Sequence, residues 1–89
     1  MFTYRAMYKC VDGGVHGEVL DFPGVITCAG DLDEARRLLA SALVDMAQVS
    51  IDAGEALPRP DARATDPDAD LEEPIHLLLR ASSKVELVA

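Results

Sequence analysis

The stretch Asp21-Phe22-Pro23-Gly24-Val25-Ile26-Thr27-Cys28-Ala29-Gly30, followed directly by Asp31-Leu32-Asp33-Glu34-Ala35, constrains the fold more than any other part of this chain. Pro23 has no amide hydrogen and biases Phe22 toward extended geometry, so Pro23-Gly24 reads as a turn. Val25 to Ala29 is short, β-branched and uncharged, which suits a central strand, and Gly30 ends it. Asp31 then stands where a helix needs its N-cap. Glu34 lies three residues on, a capping-box arrangement with Asp in place of Ser or Thr. Asp33 and Glu34 also suit the positive end of the helix dipole.

The flanking segments extend this order on both sides. Phe2, Tyr4, Ala6, Tyr8 and Cys10 alternate with Thr3, Arg5, Met7 and Lys9, the period of a half-buried strand. Asp12-Gly13-Gly14 supplies hairpin residues. Val15 to Leu20 returns, with Val15, Gly17 and Val19 on one face, and Gly17 marks a bulge or a closely packed neighbour. After Asp31, apolar residues recur at Ala35, Leu38, Leu39, Ala42, Leu43, Met46, Val49 and Ala53, a helical stripe. Val44, Ala47 and Ile51 form a second apolar line beside it. The stripe is thus wider than one sheet needs, and part of it is expected to face another subunit. Gly54 is the expected C′ residue of the long helix that Asp31 caps. Residues 55–74 read as an acidic, proline-punctuated loop, with Asp61, Asp66, Asp68, Asp70, Glu72 and Glu73. Ile75 to Arg80 is apolar enough for a strand near the centre of a sheet. Residues 84–88 alternate as a further short strand after a turn at Ser82-Ser83, or continue one long bent strand. The expected fold is therefore α+β, in the order β-β-β-α-β(-β), with an antiparallel sheet packed on one long helix.

At 89 residues the chain forms one domain, residues 1–89. A chain this short buries only about 60–65% of the surface its unfolded form exposes, so association with further copies is a natural remedy. The formal net charge is −8. The protein's field opposes nucleic acid and anionic membranes and favours a basic protein partner; it also serves simple solubility. No basic n-region followed by an apolar h-region opens the chain, and no apolar run approaches a membrane span. The expected compartment is the cytoplasm, with Cys10 and Cys28 reduced.

The motifs together resemble the HicB-type antitoxin domain. The matching pieces are Tyr4, Asp12-Gly13-Gly14, Asp21-Phe22-Pro23-Gly24, Thr27 with Gly30, Asp31-Leu32-Asp33-Glu34-Ala35, and Gly54-Glu55-Ala56-Leu57-Pro58-Arg59-Pro60. The resemblance covers residues 1–60, and the remainder only in strand character. It implies a partial ribonuclease H-like fold that assembles as a dimer or tetramer. It also implies a small basic mRNA-cleaving toxin of the HicA type as partner, with the toxin's active site covered. No helix-turn-helix or ribbon-helix-helix segment is visible in the sequence, so no direct DNA binding is expected. The turn at Asp21-Phe22-Pro23-Gly24 is one residue shorter than the family's usual form.

Chemistry is sparse by comparison. An active nuclease of this fold class holds two metal ions with clustered carboxylates. Asp12 and Asp21 sit in turns, Glu34 is explained as a cap, and only Glu18 lies on a strand. No Cys-x-x-Cys or His-x-x-x-His spacing exists for a metal. His16 and His76 read as surface strand histidines, Cys10 and Cys28 as small buried hydrophobes. Arg36-Arg37 reads as a solvated face or an intersubunit bridge to the acidic loop. The chain is therefore expected to be non-catalytic, with no cofactor or metal. Asp61, Asp66, Asp68, Asp70, Glu72 and Glu73 are the expected partner-binding residues, acting as a polyanion on a basic toxin; the alternative for this loop is a solvated connection. Val44, Ala47, Ile51, Ile75, Leu77 and Leu79 are the expected oligomer interface. The second functional expectation is a stand-alone oligomer, structural or ligand-binding, with no toxin.

Overall fold

The computed structural model describes residues 1–79 and 85–88, with side chains through residue 78. Its elements run β1 (Phe2–Val11), β2 (Gly14–Val19), β3 (Ile26–Ala29), α1 (Leu32–Asp52), β4 (Leu71–Leu79) and β5 (Val85–Val88). The strands form one antiparallel sheet in the order β3-β2-β1-β4-β5. The helix packs across one face, closest over β3 and β2. The α+β architecture with a single long helix is thus present, and residues 75–88 divide into two antiparallel strands. The turn expected at Ser82-Ser83 lies outside the described residues.

Local chemistry accounts for each boundary. Val11 pairs with Gly14 across a two-residue turn, and Gly13 has φ 77°. Gly17 is a close-packing site: a Cβ there would meet the Tyr8 ring at 3.1 Å and the Thr27 methyl at 3.2 Å. Asp31 caps α1 by accepting from the Glu34 amide at 2.8 Å. At the other end Gly54 (φ 74°) donates to Ile51 O and Glu55 donates to Ser50 O, the paired bonds of a Schellman end. Asp31→Ala is expected to lower the unfolding free energy by about 1 kcal/mol, read as a shifted urea midpoint.

The core lies between helix and sheet: Tyr4, Ala6, Tyr8, Val19, Phe22, Val25, Ile75 and Leu77 meet Ala35, Leu39, Leu43 and Ala47. The Tyr4 ring contacts Phe22 edge-on, with centroids 5.4 Å apart. The buried helical line steps strictly by four, so Ala47 turns inward while Val49, expected in the stripe, is 62% exposed.

Four expectations need correction. β3 is an edge strand, not a central one, because β4 enters beside β1 and leaves β3 outermost; its residues are uncharged because Thr27 and Ala29 share the helix-facing side with Val15 and Gly17. The strand expected from Ile75 begins at Leu71, so the acidic loop is shorter and Pro74 sits inside β4. Pro74 is tolerated because Arg5, its partner in register, directs its amide to Asp21 and its carbonyl to the Leu20 amide, away from β4. The Pro74 nitrogen therefore faces the outer side, where β5 pairing begins only at His76. Cys10 and Cys28 are exposed rather than buried. Ala47, Ile75 and Leu77 belong to the chain's own core and are not available to a second subunit.

Candidate functional site

The face of the sheet opposite the helix carries Thr3, Arg5, Met7 and Lys9 on β1, His16 and Glu18 on β2, and Cys28 on β3. Met7 is fully buried there, although it stands outside the helix-side core. The acidic loop is held to this face by Lys9 directly and by Glu72 of β4, which accepts from the Arg5 guanidinium and from the Thr65 hydroxyl. The Lys9 ammonium lies 3.4 Å from the Asp66 carboxylate, and the Arg5 guanidinium 3.2 Å from Glu72. The Asp70 carboxylate accepts from the Cys10 amide at 2.7 Å, and the Asp70 amide donates to Tyr8 O at 2.9 Å, which closes the end of the β1–β4 ladder.

The loop's internal form follows from two similar tetrads. In Asp61-Ala62-Arg63-Ala64 and Asp66-Pro67-Asp68-Ala69, the first Asp accepts from the amide two residues on, and its carbonyl accepts from the amide three residues on. These are side-chain-supported β-turns, for which Asp at the first position and Pro at the second are favoured. The loop's entry is fixed by two further bonds: the Tyr4 hydroxyl donates to Pro58 O at 2.8 Å, and the Asp21 carboxylate accepts from the amides of Arg5 (2.8 Å) and Asp61 (2.9 Å).

Electrostatics agree with this geometry. Burial, reinforced by the Asp21 charge, pushes the Tyr4 phenol up to about 12. Burial also pushes Tyr8 up to about 12, with the Glu73 charge adding and the Arg36 charge opposing. The Asp68 amide, then Lys9, hold Asp66 below its ordinary value; the Thr65 hydroxyl, then Arg5, do the same for Glu72. Both carboxyls are depressed in the folded state, so their contribution is complete above the ordinary values of 3.8 and 4.5 and is lost as pH falls through the lower folded ones. Loop amides at 61–70 are therefore expected to exchange faster as pH falls from about 6 to about 3, after correction for intrinsic rates, while the β1–β2 ladder stays protected.

The six acids named as partner ligands thus have mostly internal roles. Asp66, Asp70 and Glu72 clamp the loop. Glu73 projects to the helix side and takes Arg36 in a two-pronged pair at 2.8 and 3.0 Å, so the arginine bridge is within the chain. Asp61 closes its own turn, and Asp68 is exposed. The loop is solvent-exposed along most of its length, as a solvated connection would be, but these bonds pin it to β1, β4 and Asp21. Of the expected oligomer residues, Val44 and Ile51 are half-buried on α1, and Leu79 has its side chain outside the described residues. Sequence reasoning missed Arg5, Lys9, Asp21 and Tyr4 as the loop's anchors. The one sequence signal that could have shown an ordered loop is Asp66-Pro67-Asp68-Ala69, a β-turn sequence.

The second element of the site is the β3 edge. Val19 N donates to Val25 O, and Gly17 and Val15 lie opposite Thr27 and Ala29, so Ile26 and Cys28 direct their backbone groups outward. Ile26 is 51% exposed. An uncharged edge with a protruding isoleucine is a template for another chain. Among the described residues no three of His, Cys, Asp and Glu converge as a metal ligand set, and no helix is long and apolar enough to cross a membrane. Comparison of the chain with protein-family models finds no match, and comparison with the curated proteins finds none either.

Proposed function

We propose that this chain is a non-catalytic, cytoplasmic interaction protein of the HicB type, which self-associates and covers a small basic ribonuclease of the HicA type. The observation that carries this reading is the negative charge left over once internal pairing is complete. Arg5, Lys9 and Arg36 are each held by a carboxylate of the same chain. Asp12, Glu34, Asp45, Asp52, Glu55 and Asp68 remain exposed. A surface of that kind steers basic partners and repels polyanions. The motif order over residues 1–60 and the open β3 edge support the same reading.

Titrating the chain into a HicA-type ribonuclease tests it. The expected result is a stoichiometric complex and loss of RNA cleavage; an active toxin in excess chain contradicts the antitoxin role. Light scattering on the chain alone is expected to give a dimer or larger assembly at micromolar concentration, and a clean monomer contradicts self-association. One observation favours a second reading, a stand-alone oligomer without a toxin. The loop acids that would imitate RNA are already engaged by Arg5 and Lys9.

A further inference from the structure

We propose that Cys28 is a modification site, a surface thiol primed by His16 and Glu18 to react with small electrophiles such as hydroperoxides. The inference does not need the interaction reading above, but it does require that the outer face of β3 stay open in any assembly formed along that edge. Cys28 and His16 stand opposite each other in the β2–β3 register. Because Val15, Gly17 and Val19 make the ladder bonds, this is a non-hydrogen-bonded pair, the kind that brings side chains closest. The Cys28 Sγ lies 3.9 Å from His16 Nδ1, and His16 Nε2 lies 3.5 Å from Glu18 Oε2. One tautomer serves both contacts: Nε2–H donates to Glu18, and the free Nδ1 lone pair accepts from the thiol. Nucleophile, base and orienting carboxylate are thus in sequence.

The other charged groups facing His16 are Lys9, opposite it on β1, and Asp66 of the loop, which is bound to Lys9. Cys28 is exposed, so the thiol is within reach of solutes. Cys10 is exposed as well, but its carboxylate neighbour Asp70 is bound to its amide, and no histidine contacts its sulfur among the described residues. The chain therefore carries its own control.

The step balances as follows. The Sγ–H proton passes to His16 Nδ1, and the thiolate lone pair attacks one peroxide oxygen. An S–O bond forms and the O–O bond breaks. The departing hydroxide takes the imidazolium proton and leaves as water. Sulfur loses two electrons, the peroxide gains them, and Cys28 becomes a sulfenic acid.

The test treats the intact chain with hydrogen peroxide plus a sulfenic-acid trap, and separately with iodoacetamide, and quantifies each cysteine by peptide mass spectrometry. Cys28 is expected to react about tenfold faster than Cys10 near neutral pH with both reagents. His16→Gln is expected to bring Cys28 down to the Cys10 rate, and Glu18→Gln to slow it severalfold, with circular dichroism unchanged. Equal rates at the two cysteines in the unmodified chain overturn the proposal. So does a folded His16→Gln chain in which the ratio persists. Should His16→Gln unfold, the native ratio and the Glu18→Gln rate decide the matter.

Discussion

Asp21→Ala is expected to lower the unfolding free energy by about 3 kcal/mol, measured by urea denaturation. The reason is a mismatch in strand lengths. β1 continues past the point where β2 turns away, so the Arg5 amide faces the β2 side beyond the regular ladder. Asp21, the residue at that turn, supplies a carboxylate oxygen in place of a strand carbonyl, at 2.8 Å. Its other oxygen takes the Asp61 amide at 2.9 Å and so fastens the loop. Hydrogen bonds to a charged acceptor contribute about 1.5–3 kcal/mol each, and removal leaves the half-buried Arg5 amide without its partner. A second readout separates this account from a general loss of packing. The Asp21 charge helps raise the Tyr4 phenol, so the substitution is expected to move Tyr4 ionisation to lower pH in the folded chain. A stability change within about 0.5 kcal/mol, the ordinary range of a surface substitution, contradicts the bridging role.

Leu39→Ala is expected to cost about 3 kcal/mol, within the range of about 2–5 for a fully buried leucine. Leu39 has no exposed surface and sits in the middle of the buried helical line Ala35, Leu39, Leu43, Ala47. Two of the four positions on that line are already alanine. With alanine at both ends of the line, little side-chain bulk on the helix is at hand to collapse into a new cavity. The matched control is Val49→Ala on the same helix. Val49 is 62% exposed, and its replacement is expected to change stability by less than about 0.5 kcal/mol. Equal effects at the two positions contradict the inward direction assigned to the line.

Much of the helix-side architecture was legible because its signals are local. The Asp31 cap, the Gly54 terminus, the hairpin at Asp12-Gly13 and the alternation of Tyr4, Ala6 and Tyr8 each follow from a few neighbouring residues. The phase of the helix was less legible. Leu38 and Val49 are as apolar as Leu39 and Leu43, and only packing against the sheet decides which line turns in. The place of β3 was hidden for a related reason: an uncharged strand resembles a central one, and the choice depends on which side β4 joins.

The acidic loop was misread because composition counts charges and not partners. Asp66, Asp70 and Glu72 carry the charge of a solvated tract, but each has a particular recipient on β1, some 60 residues away in sequence. The same long-range pairing hid Lys9 and Arg5, which look like ordinary polar positions of an alternating strand. Cys28, His16 and Glu18 were visible as residues; their alignment appears only once β2 and β3 are placed in register.

The central claim is that residues 59–70 are held in one conformation against the sheet by their bonds to Asp21, Lys9, Glu72 and the Tyr8 and Cys10 backbone. Hydrogen exchange at the Asp61, Cys10 and Asp70 amides tests it most directly, since these donate to Asp21, Asp70 and Tyr8 O. The predicted result at neutral pH is protection approaching that of the β1–β2 ladder amides. Exchange at Asp61 and Asp70 as fast as in an unstructured peptide contradicts it.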